Sequence, residues 1–332
     1  MKILRLLVFA IITLLVPNVS VSPLFAEAPT TPKILFTSAR DENYEVYIMN
    51  PDGSEQANLT QHRAQDLQAV WSPTGEQILF ISDRGGIRDL YLMAPDGSNV
   101  RRFFKRKTKI YRKSPTWSPD GKQIAYTSID WDRLKTTIHI ANLGEQEAEE
   151  LVSGASSPAW SPNGGEIACS ISERLTLINV RTGVQKQLLP KKALFWQRQP
   201  SWSAAGDKLV FTWNNNPIPP VAAKRPVWDV WQDKETIYMI NRDGTGLQQL
   251  IEEAGPYAWA PALSPNGEKV LYTQGTNGGR QIFKLDVNSG IQTRLTHVGW
   301  NSGGDWFDPV YALPVEPKPQ LLTTTWGDIK KR

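Results

Sequence analysis

One cysteine, three histidines and four methionines are all that this 332-residue chain carries of those residue types, and each scarcity closes off some chemistry. A lone cysteine, Cys169, cannot form an intramolecular disulfide, so no covalent staple holds the fold. It lies in the apolar run Ile167-Ala168-Cys169-Ser170-Ile171 with no basic neighbour, the setting of a small buried hydrophobe and not of a reactive thiol. Of the histidines, His62 and His297 follow matching segments, Thr60-Gln61 and Thr296, and His139 sits in the strand-like Ile138-His139-Ile140. They are too few and too scattered for a histidine-based metal centre. No Gly-x-Ser-x-Gly elbow and no His-Glu-x-x-His helix occurs. Gly244-Thr245-Gly246 lacks the third glycine of a dinucleotide loop, and the Asp-Gly pairs lack the carboxylate series of a calcium loop. No catalytic residue, cofactor or metal is therefore expected, and the chain reads as a non-enzyme.

Long apolar runs are missing too, except at the N-terminus. Lys2 and Arg5 precede the apolar stretch Leu6–Val16, and Leu24-Phe25-Ala26 offers a cleavage site, so residues 1–26 read as a secretory signal. The apolar stretch is too short to span a bilayer, and no transmembrane segment follows it. Residues 27–32 are expected to be a flexible linker. Without the leader, 35 basic residues face 33 acidic ones, so overall charge says little about partners. Export to the periplasm or the medium makes nucleic acid an unsuitable partner, and a monomer is expected.

What the chain has in abundance is tryptophan, 13 in all, and a repeated phrase. Trp-Ser-Pro-x-Gly begins at Trp71, Trp117 and Trp160, and decays at Trp202 and Leu263. An eroded sixth copy is read at Asp308-Pro309-Val310-Tyr311, with Tyr311 in the aromatic place. The intervals are 46, 43, 42, 61 and 48 residues, a repeat period. Ser-Pro-x-Gly is turn chemistry. After it comes a β-branched and aromatic run such as Ile124-Ala125-Tyr126-Thr127, then a second such as Asp89-Leu90-Tyr91-Leu92, an Asp-Gly turn, and a short polar strand. Each repeat is thus a four-stranded antiparallel sheet that must stack on its neighbours. The whole is expected to be an all-β, six-bladed β-propeller over residues 33–313, with a tail at 314–332. No phrase precedes the first apolar run at Ile34, so the C-terminal strand, read at Asp308–Leu313, is expected to complete the N-terminal blade and close the ring. Trp71, Trp117, Trp160, Trp202 and Tyr311 are the structural repeat positions.

The phrase Trp-Ser-Pro-Asp-Gly-Lys, followed by Ile-Ala-Tyr-Thr-Ser, by x-Ile-Tyr-x-Met and Asp-Gly, and by Leu-Thr, resembles the repeat of TolB-type periplasmic propellers. The resemblance implies the propeller fold over most of the chain and an envelope location. Only about six residues separate leader and first strand, so the N-terminal α/β domain of that family is not expected here.

In such a blade, turns 1–2 and 3–4 lie on one face, and connections 2–3 and 4–1 on the other. Trp131, Trp228 and Trp231 fall in 2–3 connections, Trp213 leads into one, and Trp196, Trp259, Trp300 and Trp306 fall in 4–1 connections. For Trp259 and Trp306 the favoured reading is packing between blades. The basic residues Lys105, Arg106, Lys107 and Arg112 belong to this face, as do Lys224 and Arg225. Trp228 and Trp231 lie in an insertion, Asn214–Asp233, whose proline-rich start suits neither strand nor helix. Aromatic and arginine-rich surfaces anchor proteins. The expected partner is an envelope protein or peptide, held by Trp228, Trp231, Arg225, Lys224, Trp131, Lys105, Arg106, Lys107 and Arg112. Two alternatives stay open: a glycan stacked on exposed tryptophans, and a hydrolase or lyase with carboxylates at the channel mouth.

Overall fold

A computed structural model describes residues 27–314 except 221, 254 and 255. The expected leader at 1–26 and the expected tail beyond 314 lie outside the described residues. Among those described are 24 strands and one helix. In chain order, β1 (Lys33–Asp41), β2 (Asn43–Met49) and β3 (Ala57–Asn58) belong to the first blade. The second is β4 (Asp66–Trp71), β5 (Ile78–Ser82), β6 (Asp89–Met93) and β7 (Arg101–Arg102). The third is β8 (Tyr111–Trp117), β9 (Gln123–Asp130), β10 (Lys135–Asn142) and β11 (Glu149–Ser153). The fourth is β12 (Ala155–Trp160), β13 (Glu166–Ile171), β14 (Arg174–Asn179) and β15 (Gln185–Gln187). The fifth is β16 (Gln197–Trp202), β17 (Lys208–Trp213), β18 (Thr236–Asn241) and β19 (Gln248–Gln249), with helix α1 (Arg225–Gln232) between β17 and β18. The sixth is β20 (Ala258–Leu263), β21 (Lys269–Thr276), β22 (Gly279–Asp286) and β23 (Gln292–Arg294). The last strand, β24 (Asn301–Phe307), returns to the first blade in the order β24-β1-β2-β3. The fold is a six-bladed propeller of four-stranded antiparallel sheets, as the repeat implies.

The repeated residues do specific work. The serine of each phrase caps the 1–2 hairpin, accepting the N–H five residues on: Gln123 to Ser118 Oγ at 2.8 Å, Glu166 to Ser161 Oγ at 2.9 Å. The preceding aromatic packs between blades, and Trp71, Trp117, Trp160 and Trp202 are only 6–8% exposed. The apolar cores lie at the blade–blade seams. One joins Leu35, Val46 and Phe307 of the first blade to Trp71, Phe80 and Met93 of the second.

Each first strand carries a bulge with one residue in left-handed conformation, namely Gln68, Ser114, Ser157, Gln199, Ala260 and Gly303. The freed N–H reaches back to the preceding blade's second strand: Gln68 to Thr37, Ser157 to Thr127, Ala260 to Thr212, Gly303 to Thr273. The second blade has Ile81 at that threonine position, and the Gln68 side chain takes over, accepting from Ser114 N–H at 2.8 Å. The Asp-Gly turns work similarly. A Cβ on Gly97 would stand 2.2 Å from the Leu59 carbonyl of the blade before it, at φ +84°, so only glycine fits.

Two readings are corrected, the position of the closing strand and the placement of Trp306. The ring closes with Asn301–Phe307, not Asp308–Leu313. Phe307 holds the aromatic place, shortening the last interval from 48 to 44 residues. Tyr311 is 52% exposed and sits in the turn that follows. The repeat has prolines both two before and two after its aromatic, and Pro309 is the latter kind; that ambiguity shifted the register. The proline-rich start of the insertion, 214–220, is neither strand nor helix, as its sequence implies; α1 follows it, with Pro226 in its first turn fixing φ where no N–H partner is needed. Ala28 packs on the seam between the first two blades. Trp306 lies near the 1–2 face, its Nε1–H on the Ala262 carbonyl at 3.1 Å, and packs on the seam there.

Candidate binding site

The face formed by the 2–3 and 4–1 connections carries an aromatic and charged cleft of about 350 Å³ beside the channel mouth, over the fourth to sixth blades. On one side stands Trp196, held at φ +78°, a strained value for a bulky residue. Its indole donates to Glu235 Oε1 at 2.6 Å, and its ring supports the Arg198 guanidinium 4.4 Å from the centroid. Arg198 pairs with Glu235 and lies 3.6 Å from Glu173. Burial raises the Glu173 carboxyl above its usual range despite Arg198 and Lys113, and lowers the Lys113 ammonium where it lines the channel.

The insertion buttresses this wall. Trp231 is 4% exposed and meets Trp196 edge to face at 5.0 Å. Its Nε1–H reaches the Asn216 carbonyl at 3.2 Å, and fully buried Asn214 holds its own carbonyl. The expectation of Trp231 as a partner contact is therefore corrected: it is the helix's anchor, and i,i+3 spacing sets Trp228, half-buried, against it at 5.8 Å. Val227 and Val230 face outward, 50% and 62% exposed.

On the other side, period-2 spacing in and before β20 sets Tyr257 and Trp259 side by side, stacked at 4.7 Å. Trp259 lines both cleft and channel, contrary to the reading that it packs between blades. The β21–β22 hairpin brings Arg280 over Trp259, and the following connection brings Trp300, 48% exposed, against the same guanidinium.

The other expected residues scatter. Lys224 and Arg225 are exposed at the start of α1, with Arg225 3.9 Å from Asp229. Trp131 is 63% exposed on the third blade, edge-on to Tyr111. Lys105, Arg106 and Lys107 are exposed between the second and third blades. Arg112, read as a partner contact, is buried: it pairs with Asp89 at 2.8 Å and lies over the Phe104 and Tyr126 rings. Bulge geometry turns it inward, which its basic neighbours in sequence conceal. Sequence reasoning missed Tyr257, Arg280, Glu173 and Glu235. The Tyr257-Ala258-Trp259 spacing was the one available signal. Among the described residues no group of three or more His, Cys, Asp or Glu side chains could hold a metal. Cys169 is buried, its thiol pushed up to about 12 by burial.

The opposite mouth is a funnel of about 440 Å³, ringed by the prolines and tryptophans of the blades. Asp305 stands where four blades have proline. It accepts the Trp71 N–H at 2.7 Å, tying closing strand to second blade. Burial nonetheless pushes its carboxyl up to about 7, against the Trp71 and Trp306 N–H groups. The native state thus holds this proton more tightly than the unfolded chain. The resulting stability is full below about pH 4, the ordinary aspartate range, and is lost as pH rises through 7. Asp305→Asn keeps an acceptor for Trp71, so its melting temperature relative to wild type should rise between pH 4 and 8. A difference unaffected by pH in paired thermal melts would show that Asp305 does not titrate in this range.

Such a structure defines a class: a closed propeller that presents side chains at its mouths. Residues 15–113 match the TolB beta propeller domain family. TolB from Acinetobacter baumannii superposes with a TM-score of 0.68 at 17% identity over 82% of this chain, which covers 66% of that protein, just under two thirds. A chain of a nidogen/laminin complex gives 0.63 at 9% identity, covering 83% of this chain and 98% of that one. A puromycin-hydrolyzing peptidase from Mycobacterium tuberculosis gives 0.52 at 13% identity, with 81% of this chain and 44% of the peptidase covered. The search of curated proteins finds no match. At these identities the likeness establishes the fold, which hosts binding proteins and enzymes alike. No helix among the described residues is long and apolar enough to cross a membrane.

Proposed function

We propose that the chain is an exported, non-enzymatic binding protein that engages an extended segment of an envelope protein in the cleft over its fourth to sixth blades. The observation that carries this reading is the convergence of Trp196, Tyr257, Trp259, Trp300, Arg198 and Arg280 on one concave surface from four separate connections or strand ends. Rigid aromatic rings contribute contact area at low entropic cost, and arginines stacked on them add directional donors. The residues of the leader support export, to the periplasm or beyond. Lys224, Arg225 and Trp228 on the insertion, and Trp131 and Lys105–Lys107 further round the rim, would form the polar edge of the contact. A glycan stacked on Trp131 and Trp300 is the second reading, favoured by their exposure.

Affinity capture from an envelope fraction tests the proposal. Wild type and a Val184→Asp variant, altered on the opposite face, should retain one protein that Trp228→Ala/Trp300→Ala loses at least tenfold. All three should melt within a few degrees of one another. Elution by free oligosaccharide would favour the glycan, and equal capture by all three would refute this placement.

A further inference from the structure

Arg280 is surrounded differently from the ion-paired arginines of the propeller. Arg198 has Glu235 and Glu173 beside it, while Arg84, Arg102 and Arg112 each pair with a buried aspartate. The Arg280 side chain makes no ion pair and no hydrogen bond among the described residues, and its Nε is buried without a partner. It is instead held between two indoles, 5.2 Å from Trp259 and 5.3 Å from Trp300. The arrangement is built, not incidental. A Cβ on Gly279, at φ +125°, would stand 3.0 Å from the Trp300 indole, and one on Gly275 would stand 3.3 Å from the Tyr257 ring. Two glycines of one hairpin thus let two aromatic rings close on the guanidinium and its stacking partner. A buried donor left without an acceptor is costly, and the ring faces offset only part of that.

We infer that Arg280 is a carboxylate-recognition subsite of the cleft, taking a carboxylate of the bound segment by paired hydrogen bonds from its planar fork. This rests on the proposed protein-binding role of the face. A planar two-oxygen anion matches the guanidinium edge left free by stacking, and Tyr257 and Trp259 supply an apolar floor for the chain that carries it. Both carboxylates beside the cleft, Glu173 and Glu235, are held by Arg198, so Arg280 has no carboxylate of its own there.

The test uses the full chain and no natural partner. The indole ¹H–¹⁵N signals of Trp259 and Trp300, assigned with Trp→Phe variants, are followed during titration with 4-hydroxyphenylacetate and with its neutral amide. The acid should shift both signals saturably and bind at least tenfold more tightly than the amide. Arg280→Gln should abolish the response, and Arg280→Lys, which keeps the charge but loses the fork, should weaken it about fivefold or more. Acetyl-Ala-Tyr with a free terminus and acetyl-Ala-Tyr-Glu-amide then separate a chain-end carboxylate from a side-chain one. Equal binding of acid and amide, an unchanged response in Arg280→Gln, or tighter binding of a uronate than of either peptide would overturn the assignment. If partner capture persists while acid and amide are not distinguished, only the carboxylate assignment fails. If the acid is selected but no protein is captured, the proposed partner fails instead.

Discussion

A chain ending at Trp300 should fail to reach the folded ring, while one ending at Pro314 should fold with a sharp thermal transition. The difference is β24. It pairs with β1 from Lys33↔Phe307 to Ser38↔Asn301, the innermost strand of the first blade. Phe307 is 4% exposed, lies 5.2 Å from Trp71, and fills the space that Gly75 leaves open. Losing Phe307 alone to alanine should cost about 3–5 kcal/mol. Losing the strand also strips the Asp305–Trp71 tie and bares a sheet edge, against a typical domain stability of about 5–15 kcal/mol. Circular dichroism and a thermal melt of the two chains, with Phe307→Ala as the milder case, provide the check. Equal melting temperatures would mean that Asn301–Phe307 does not close the ring.

Arg112→Ala should destabilise the protein by about 3 kcal/mol, because it leaves Asp89 buried with one arginine partner in place of two. It also removes a cation from between the Phe104 and Tyr126 rings, 4.6 and 5.7 Å from their centroids. The triple change of Lys105, Arg106 and Lys107 to alanine alters exposed side chains only and should stay within roughly 0.5 kcal/mol of wild type. Denaturant midpoints at unchanged m-value separate the two cases. A silent Arg112→Ala would place that residue back on the surface.

The contrast shows where sequence stops being legible. Blade count, strand order and the buried roles of Trp71, Trp117, Trp160 and Trp202 follow from local chemistry repeated at a fixed period. The closing strand was found at the right end of the chain but four residues out of register, because Asp305, Asp308 and Tyr311 replace the Pro, Ser and Gly that would have anchored it. The site was less legible. Arg112 and its exposed neighbours look alike in sequence, and only a bulge decides which turns inward. Arg280 drew no attention because its meaning comes from Trp259 and Trp300, some twenty residues away on either side and joined to it only across a closed blade. Trp231 looked like a surface aromatic in a long loop, since the asparagines that bury it are polar.

The central claim, that the protein works through the face of the 2–3 and 4–1 connections, is tested most directly by photo-crosslinking from single positions on both faces. A photoreactive side chain at Val230 or Val298 reports on that face, and one at Val184, Ile291 or Val310 on the other; all five native residues are at least 62% exposed. With intact envelopes, the first two positions should trap one protein in a band that Trp228→Ala/Trp300→Ala removes, and the other three should trap nothing in common with it. The same protein trapped from Val184, Ile291 and Val310 but not from Val230 and Val298 would contradict the account.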